Sequence, residues 1–257
     1  MDIVIVLAGF FIGTIVGISG IGAGSITTPF LLLYGVSPIV AVGTNLFYTA
    51  ATKLSALWIY QREGVIQWRI VCLLCLGSIP ATGLILSLLN HYDAKGYDFN
   101  GLITLLIGIS LVLNASVMLF KTHLMHVSAT PKPLRQNTRA WATVAAGFAI
   151  GTLVSLSSIG AGTLGAAILL LIYPNLPARN IVGVDIAHAV PLALVAGFGH
   201  WHLGSIDFAL LLNLLIGSIP GILIGSQLGR YFTDQRLRTL LASLLFCSGL
   251  GFVIKTL

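Results

Sequence analysis

Long apolar runs recur along almost the whole chain. The clearest of them lie at 39–60, 67–89, 101–120, 180–201, 206–228 and 237–255. A helix needs about 20 apolar residues to cross the hydrocarbon core of a bilayer. Charged residues make up only 8% of the chain, against roughly 25% in soluble domains, so they are too few to cover a water-exposed surface. The sequence therefore predicts an all-α polytopic membrane protein embedded in the lipid bilayer.

The remaining composition excludes several other classes. Cytoplasmic loops of membrane proteins carry an excess of Lys and Arg, so the net charge of +6 is interpreted as loop charge, and no nucleic-acid partner is expected. Residues 1–18 lack the basic start of a secretory signal and are expected in the mature protein. Three cysteines indicate no disulfide framework. No nucleotide-binding motif is found, and we expect no cofactor, no metal and no catalytic residue.

One short phrase occurs twice. SGIGAGS at 19–25 and SSIGAGT at 157–163 lie 138 positions apart. Each interrupts a long apolar region, 3–35 in the first case and 140–173 in the second. Each region therefore has the pattern of a helix, a break and a shorter helix.

The repeated phrase belongs to a longer duplication. After a two-residue insertion the matches continue, and GSIP at 77–80 meets GSIP at 217–220. Several matches in order with one small gap predict two related halves. We place a first transmembrane repeat at 1–120, a cytoplasmic polar linker at 121–139 and a second transmembrane repeat at 140–257.

Loop charge predicts opposite orientations for the two halves. The loops at 61–69, 121–139 and 229–238 are basic, whereas those at 90–100 and 202–207 are not. Basic loops face the cytoplasm, so equivalent loops of the two halves lie on opposite sides. We expect two inverted-topology repeats, each with a glycine-broken helix pair, re-entrant or fully spanning, followed by three full transmembrane helices. Both termini are then outside.

The glycine phrases predict an anion site. A helix that begins at such a break has unpaired N–H groups and partial positive charge. Inside a membrane these groups must be buried in protein or line a cavity, and two inverted copies would meet near the midplane. Tight helix packing is the alternative interpretation of the glycines. The candidate substrate-binding residues at the breaks are Ser19, Gly20, Gly22, Gly24, Ser25, Ser157, Ser158, Gly160, Gly162 and Thr163.

Ionisable residues inside the predicted spans supply further candidates, because such residues are costly in a membrane and mark functional sites. Lys53 is a substrate-binding candidate because it offers positive charge to an anion. Asn45 and Asp185, which align with each other in the two halves, are also substrate-binding candidates. Asp185 and His188, one helical turn apart, are candidate proton-coupling groups. Three alternatives stay open: a Lys53–Asp185 pair that only fixes packing, a Lys53 that snorkels to the interface, and a His188 that only bonds another helix.

The motifs in this order resemble the TauE/SafE sulfite exporter family over nearly the whole chain. The resemblance is carried by GFFIGTIVGISGIGAGSITTPFLL, VGTNL and GTLVSLSSIGAGTLGA. It implies a multi-pass permease of the bacterial cytoplasmic (inner) membrane for small sulfur-containing anions, such as sulfite, sulfoacetate or related organosulfonates. Besides the two breaks, it extends to the polar residues after VG, which are Thr44-Asn45 and Val184-Asp185. The second half departs from the first at Asp185 and His188, so the halves are not expected to be strictly equivalent.

The expected function is therefore secondary transport with alternating access and proton coupling, and not an enzymatic activity. A passive anion channel is one alternative. An intramembrane serine protease is another, because GISG at 17–20 has the GxSG form and His188 could serve as its base. The duplication argues against the protease, since a hydrolase needs no matching Ser157. A homo-oligomer stays open, because glycine-packed faces serve within one chain or between chains.

Overall fold

A computed structural model of the chain describes residues 2–19, 22, 24–93, 99–128, 135–228 and 234–256. Within these residues the chain forms ten α-helices and no strand. They are α1 (Ile3–Ser19), α2 (Gly24–Leu33), α3 (Pro38–Arg62), α4 (Trp68–Asp93), α5 (Asn100–Ser128), α6 (Gln136–Ser157), α7 (Thr163–Ile172), α8 (Ala178–His202), α9 (Phe208–Leu228) and α10 (Asp234–Thr256). The prediction of an all-α polytopic membrane protein is confirmed.

Six of the described helices are long and apolar enough to cross a membrane: α4, α5, α6, α8, α9 and α10. The sequence predicted α6 only as one arm of a broken pair. It predicted a full span at 39–60, yet α3 does not reach this hydropathy. The reason is that one face of α3 carries Asn45, Thr49 and Lys53, which are all buried within the protein.

Each glycine phrase lies between the two arms of a helical hairpin, which are α1 and α2 in the first half and α6 and α7 in the second. At the open end of the first hairpin, the Tyr34 hydroxyl, just after α2, donates to Asp2, just before α1, at 2.9 Å. At the open end of the second, the hydroxyls of Thr143 in α6 and Tyr173 after α7 lie 2.8 Å apart. The returning helices α2 and α7 have ten residues each, about 15 Å at 1.5 Å per residue. Each break therefore lies inside the protein, away from both ends of the long helices.

Equivalent helices of the two halves pack against each other in opposite directions. Gly43, near the start of α3, lies against Ser205, which follows α8. Gly183, near the start of α8, lies against Tyr60 near the end of α3. The two helices are thus antiparallel. Contacts between α5 and α10 show that these two helices are antiparallel as well.

Two parallel helix pairs flank this centre, α1 with α9 and α4 with α6. Their backbones touch at glycines. A Cβ on Gly13 would lie 2.5 Å from the carbonyl oxygen of Ser218, and a Cβ on Gly151 would lie 2.5 Å from that of Ser78. Both pairs of residues occupy equivalent positions in the two halves. These glycines permit close helix packing, as small residues do in membrane proteins.

The polar segment that was predicted as a linker is partly helical. The polar linker was predicted at 121–139, but α5 continues to Ser128 and α6 begins at Gln136. A run of polar residues at the end of a span can continue the helix into water, since helical hydrogen bonding does not depend on hydropathy.

Candidate anion-binding site

The two glycine breaks lie against each other in the middle of the fold. A Cβ on Gly22 would be 3.2 Å from the carbonyl oxygen of Ala161, and a Cβ on Gly162 would be 3.7 Å from the Cα of Gly22. Two residues further on, a Cβ on Gly24 would be 2.6 Å from the carbonyl oxygen of Ser158. Segments 138 positions apart in the sequence therefore share one site, with the starts of α2 and α7 beside each other.

Asn45 joins the two breaks by hydrogen bonds. Its Nδ2 lies 3.2 Å from the Gly24 carbonyl oxygen, 2.6 Å from Thr28 Oγ1 and 2.9 Å from Ser158 Oγ. The hydroxyls of Thr28 and Ser158 lie 2.7 Å apart. Asn45 is fully buried on α3, so this amide holds the first turn of α2 against the residue that ends α6.

Lys53 reaches the second break from α3. Its Nζ donates to the carbonyl oxygen of Ala161 at 3.0 Å and lies 3.7 Å from Asp185 Oδ2. The carboxylate of Asp185 in turn lies against the backbone of Gly162 and Gly165, at the first turn of α7. Because both Lys53 and Asp185 are buried, Lys53 does not snorkel to the interface, and the ion pair between these two side chains is present.

Several polar groups around the breaks have unused hydrogen-bonding capacity. Among the described residues, Asn45 Oδ1, Thr49 Oγ1 and Thr163 Oγ1 are buried atoms without a hydrogen-bond partner. Thr49 Oγ1 lies 3.4 Å from the position of a Cβ on Gly24, so it faces the first break. The first turn of α7 has no side-chain cap. Buried polar groups are nearly always paired, which makes this cluster of unfilled donors and acceptors the natural place for a polar ligand.

Backbone conformation explains why small residues occupy the second break. Ser158 is in the left-handed region with φ 55°, and Gly160 and Gly162 have φ 123° and 146°. Residues that carry a side chain rarely adopt these backbone angles, whereas glycine adopts them without steric cost. The break is therefore encoded by residues that can turn the chain sharply inside the membrane.

Three of the predicted serines form hydrogen bonds away from the contact between the two breaks. The Ser19 hydroxyl donates to Ile15 and the Ser157 hydroxyl donates to Leu153, both within their own helices. Ser25 Oγ accepts from Asn114 Nδ2 on α5 at 2.5 Å. The structure brings together Gly22, Gly24, Asn45, Lys53, Ser158, Gly160, Gly162, Thr163 and Asp185, whereas Gly20 lies outside the described residues.

His188 contacts a different helix. Its Nε2 lies 2.8 Å from Ser78 Oγ on α4, and the ring is buried. At the equivalent position of the first half, the Tyr48 hydroxyl lies beside Ser218 on α9. His188 and Tyr48 thus each contact a helix outside the central pair, and the proton-coupling role of His188 stays a prediction.

Sequence reasoning missed three residues of this site: Thr28, Thr49 and Asn114. Thr49 lies four residues from Asn45 and four from Lys53, so the three share one helix face. Thr28 follows Gly24 by the same interval. A search for polar residues four apart on the apolar helices finds both threonines. Asn114 lies on α5, which carries no glycine break, and only tertiary packing places it beside Ser25.

Known proteins resemble this chain over nearly its whole length. It is 37% identical over 256 residues to the "Probable membrane transporter protein YjnA" of Bacillus subtilis (strain 168), covering 98% of this chain and 100% of that protein. It is 31% identical to the "Probable membrane transporter protein YdhB" of the same organism, with 94% of each chain covered. A protein of Methanocaldococcus jannaschii, "Probable membrane transporter protein MJ0441", is 23% identical, with 97% of this chain and 94% of that protein covered. No solved structure matches the chain.

The family model that describes the "Sulfite exporter TauE/SafE" matches residues 5–252. This match includes both hairpins, the central pair of helices and all the site residues described above. The predicted family is confirmed, and with it a multi-pass protein of the membrane-transport class: the chain belongs to the TauE/SafE sulfite exporter family.

Proposed function

We propose that this protein is a secondary transporter of small sulfur-containing anions such as sulfite, sulfoacetate or related organosulfonates. The observation that carries the proposal is the meeting of two broken helices from opposite halves, with one buried lysine between them. Helix starts with free N–H groups attract anions. The family adds sulfite as the substrate class to test first.

The proposed ligands fall into three kinds. Backbone N–H groups of the two breaks donate to the oxygens of the anion. The hydroxyls of Thr49 and Thr163 add neutral donors, and Lys53 supplies the positive charge. A sulfite or sulfonate group has three oxygens, each with room for several donors, and charge-assisted hydrogen bonds are the strong ones. Ser19, Ser25, Ser157 and Ser158 shape the breaks rather than contact the anion in this proposal.

Alternating access follows from an inverted repeat. The antiparallel packing of α3 with α8 and of α5 with α10 supports two halves of opposite orientation, with boundaries near 1–120 and 140–257. In such transporters one half rocks against the other around a fixed site near the midplane. We place the protein in the bacterial cytoplasmic membrane on the basis of its family and relatives, and we place both termini outside on the basis of the loop charges.

Proton coupling is proposed through Asp185 or His188. Both side chains are buried in α8, one helical turn apart, and Asp185 is in contact with the site through Lys53. A carrier that moves an anion against its gradient needs a driving force, and a proton-binding group can supply it where the sequence carries no nucleotide-binding motif.

The test is flux of sulfite, thiosulfate, sulfoacetate and taurine into proteoliposomes, with and without an imposed pH gradient. Gradient-driven, saturable accumulation of one anion is the expected result. Flux that never saturates and never exceeds equilibrium would favour a passive channel. No flux of any of the four by a folded, correctly inserted protein would refute the proposal.

A matched pair of variants tests the site itself. Lys53→Met removes the buried charge, whereas Lys255→Met removes an exposed one at the end of α10. We expect Lys53→Met to lower flux about tenfold or more, since a charge-assisted hydrogen bond contributes about 1.5–3 kcal/mol, and Lys255→Met to transport normally. Equal flux in the two variants would remove Lys53 from the site.

A further inference from the structure

The charge balance of the site restricts how an anion can enter. Among the residues whose burial the structure describes, Lys53 and Asp185 are the only buried Lys, Arg, Asp or Glu side chains. They lie 3.7 Å apart. With both ionised, the site is neutral, and an anion would meet the carboxylate as well as the ammonium group. An account of anion binding has to say what happens to Asp185.

The carboxylate of Asp185 lies where an anionic substrate would be expected to bind. It lies on the first turn of α7, against Gly162 and Gly165, and it faces Lys53. A helix start and a lysine are the two groups expected to bind the anion, so the carboxylate occupies the place of an oxyanion substrate. Gly165 allows this approach, since a Cβ there would collide with Asp185 Oδ1.

Lys53 is held independently of Asp185. Its hydrogen bond to the Ala161 carbonyl oxygen, at 3.0 Å, is shorter than its 3.7 Å contact with the carboxylate. The ammonium group has three donors, so it can keep the bond to Ala161 while it exchanges one acceptor for another. Lys53 therefore stays at the break whichever anion it faces.

We propose that the transported anion and Asp185 exchange at Lys53, with one proton taken up by Asp185 for each anion bound. This inference rests on the proposed transport function and deepens it. The ion pair of the Asp185 carboxylate with the Lys53 ammonium, plus one anion and one proton, becomes the protonated Asp185 carboxyl plus the anion paired with Lys53. Charge balances on both sides, and release on the other face of the membrane reverses the step.

The surroundings of Asp185 favour this group over its neighbours as the proton carrier. On α8 itself, His188 is bonded to Ser78. From α3, Lys53 faces the carboxylate directly, whereas Tyr60 lies nearer the helix end, at Gly183. From α4, Cys75 packs in an apolar cluster.

Of the remaining neighbours, α7 carries no titratable side chain, and α6 meets α8 at His200, whose Nε2 lies 2.9 Å from the Ser155 carbonyl oxygen. Asp185 is thus the one carboxylate among the described residues in contact with the anion site.

The exchange fixes the stoichiometry and the charge that crosses the membrane. One proton accompanies each anion, so the net charge moved per cycle is the charge of the anion plus one. A monovalent sulfonate crosses without net charge, and a divalent anion carries one negative charge. Binding of the anion also weakens as pH rises, because the ionised carboxylate competes for Lys53.

The experiment counts charge per anion in proteoliposomes clamped with valinomycin and potassium. A permanently monovalent alkanesulfonate, methanesulfonate, and the best-transported anion of the four above serve as probes. For the wild type we expect methanesulfonate flux that does not respond to the clamped potential. Asp185→Asn keeps the shape of the side chain and cannot exchange a proton. We expect it to carry the same anions with one more negative charge per cycle, and without response to a pH gradient.

The apparent KM gives a second readout. In the wild type it should rise with pH, by up to about tenfold per pH unit where Asp185 is ionised, because one proton is linked to each anion. In Asp185→Asn it should be independent of pH. Glu63→Gln is the matched control, since Glu63 is a surface carboxylate paired with Arg179; it should give the wild-type charge count.

The outcomes separate this inference from the transport proposal. If the wild type moves no anion, the transport function fails and the inference falls with it. If the wild type transports but carries the bare charge of the anion, only the exchange is overturned. A folded Asp185→Asn that keeps proton-driven flux, or that carries no anion at all, also overturns it. Should Asp185→Asn not fold, the charge count and the KM of the wild type still decide.

Discussion

At the scale of single residues, one face of α3 organises the site. Asn45, Thr49 and Lys53 follow each other at intervals of four residues, so their side chains point in one direction. Asn45 holds the first break, Lys53 holds the second, and Thr49 faces the space beside Gly24. One helix of the first half thereby fixes the relative position of both breaks.

Replacement of Asn45 by alanine should therefore loosen the site. Asn45→Ala leaves the Gly24 carbonyl and the hydroxyls of Thr28 and Ser158 without this donor, and we expect a loss of about 1–3 kcal/mol in the free energy of unfolding together with reduced flux. Unfolding in detergent and flux in proteoliposomes measure the two effects. Asn137→Ala, at an exposed position of α6, is the control; equal stability of both variants would contradict the role of Asn45.

His188 offers a second prediction at this scale. In His188→Gln the amide can still bond Ser78 but cannot carry a proton. We expect flux to fall through altered packing, while the flux that remains is still driven by a pH gradient, because the proton resides on Asp185. Flux measured at several imposed gradients checks this. Loss of the gradient dependence with anion binding intact would assign the proton to His188 instead.

At the scale of helices, packing depends on glycines that let two backbones touch. The contacts of α1 with α9 and of α4 with α6 use equivalent glycines of the two halves. In lipid the hydrophobic effect does not drive helix association, and close van der Waals packing takes its place. A methyl group at such a position therefore separates the helices along several turns.

Two glycines of α4 give a matched test of this packing. A Cβ on Gly77 would collide with the carbonyl oxygen of Val144 on α6, whereas a Cβ on Gly83 meets nothing within 4 Å. We expect Gly77→Ala to lower stability by about 1–3 kcal/mol, and Gly83→Ala to be neutral or to raise it by up to about 1 kcal/mol. Thermal unfolding in detergent compares them, and equal midpoints would argue against backbone contact between α4 and α6.

At the scale of the whole molecule, the antiparallel pairs α3–α8 and α5–α10 form its centre. Apolar side chains remain exposed on the outer helices, such as Phe11, Trp141 and Leu223, and also on the central ones, such as Trp58 and Leu113. We expect lipid to cover them. We infer that the two halves are inverted copies around this centre. The glycine phrases then approach the site from opposite sides of the membrane, which gives each face of the membrane its own route to one anion.

Orientation in the membrane follows from this arrangement and is directly measurable. In a background in which the three native cysteines are replaced, Ile3→Cys and Lys255→Cys should react with a membrane-impermeant thiol reagent added outside intact cells. Asn137→Cys, at the start of α6, should react only after the membrane is opened. Labelling of Ile3→Cys and Lys255→Cys from opposite sides would exclude two inverted halves with an odd number of crossings each.

Many residues of the candidate site were predicted from the sequence. The remaining residues could not be, because their roles depend on residues of other helices that contact them. The repeated phrase located both breaks, because only small residues reproduce that backbone in a membrane, and the rarity of charge in an apolar span identified Lys53 and Asp185. The role of Ser19 and Ser157 was not predictable, since a serine near the end of a helix bonds equally well to its own turn or to a neighbour. Asn114 carried no signal, because its role depends on Ser25 of another helix, to which it donates. Ser78 lies in the repeated GSIP phrase, but its contact with His188 was not predictable from that repeat.

The sequence by itself determined the helical membrane class, the helix positions, the duplication and the two breaks. These depend on local properties: hydropathy over about 20 residues, and the freedom of glycine at positive φ. Only the tertiary structure decided that the breaks touch, that Asn45 bridges them, and that Lys53 faces Asp185 across two halves of the chain. Such contacts depend on how helices pack. Packing brings together residues that are far apart in the sequence according to the shapes of the helix surfaces, and the residues on either side of a position do not determine these shapes.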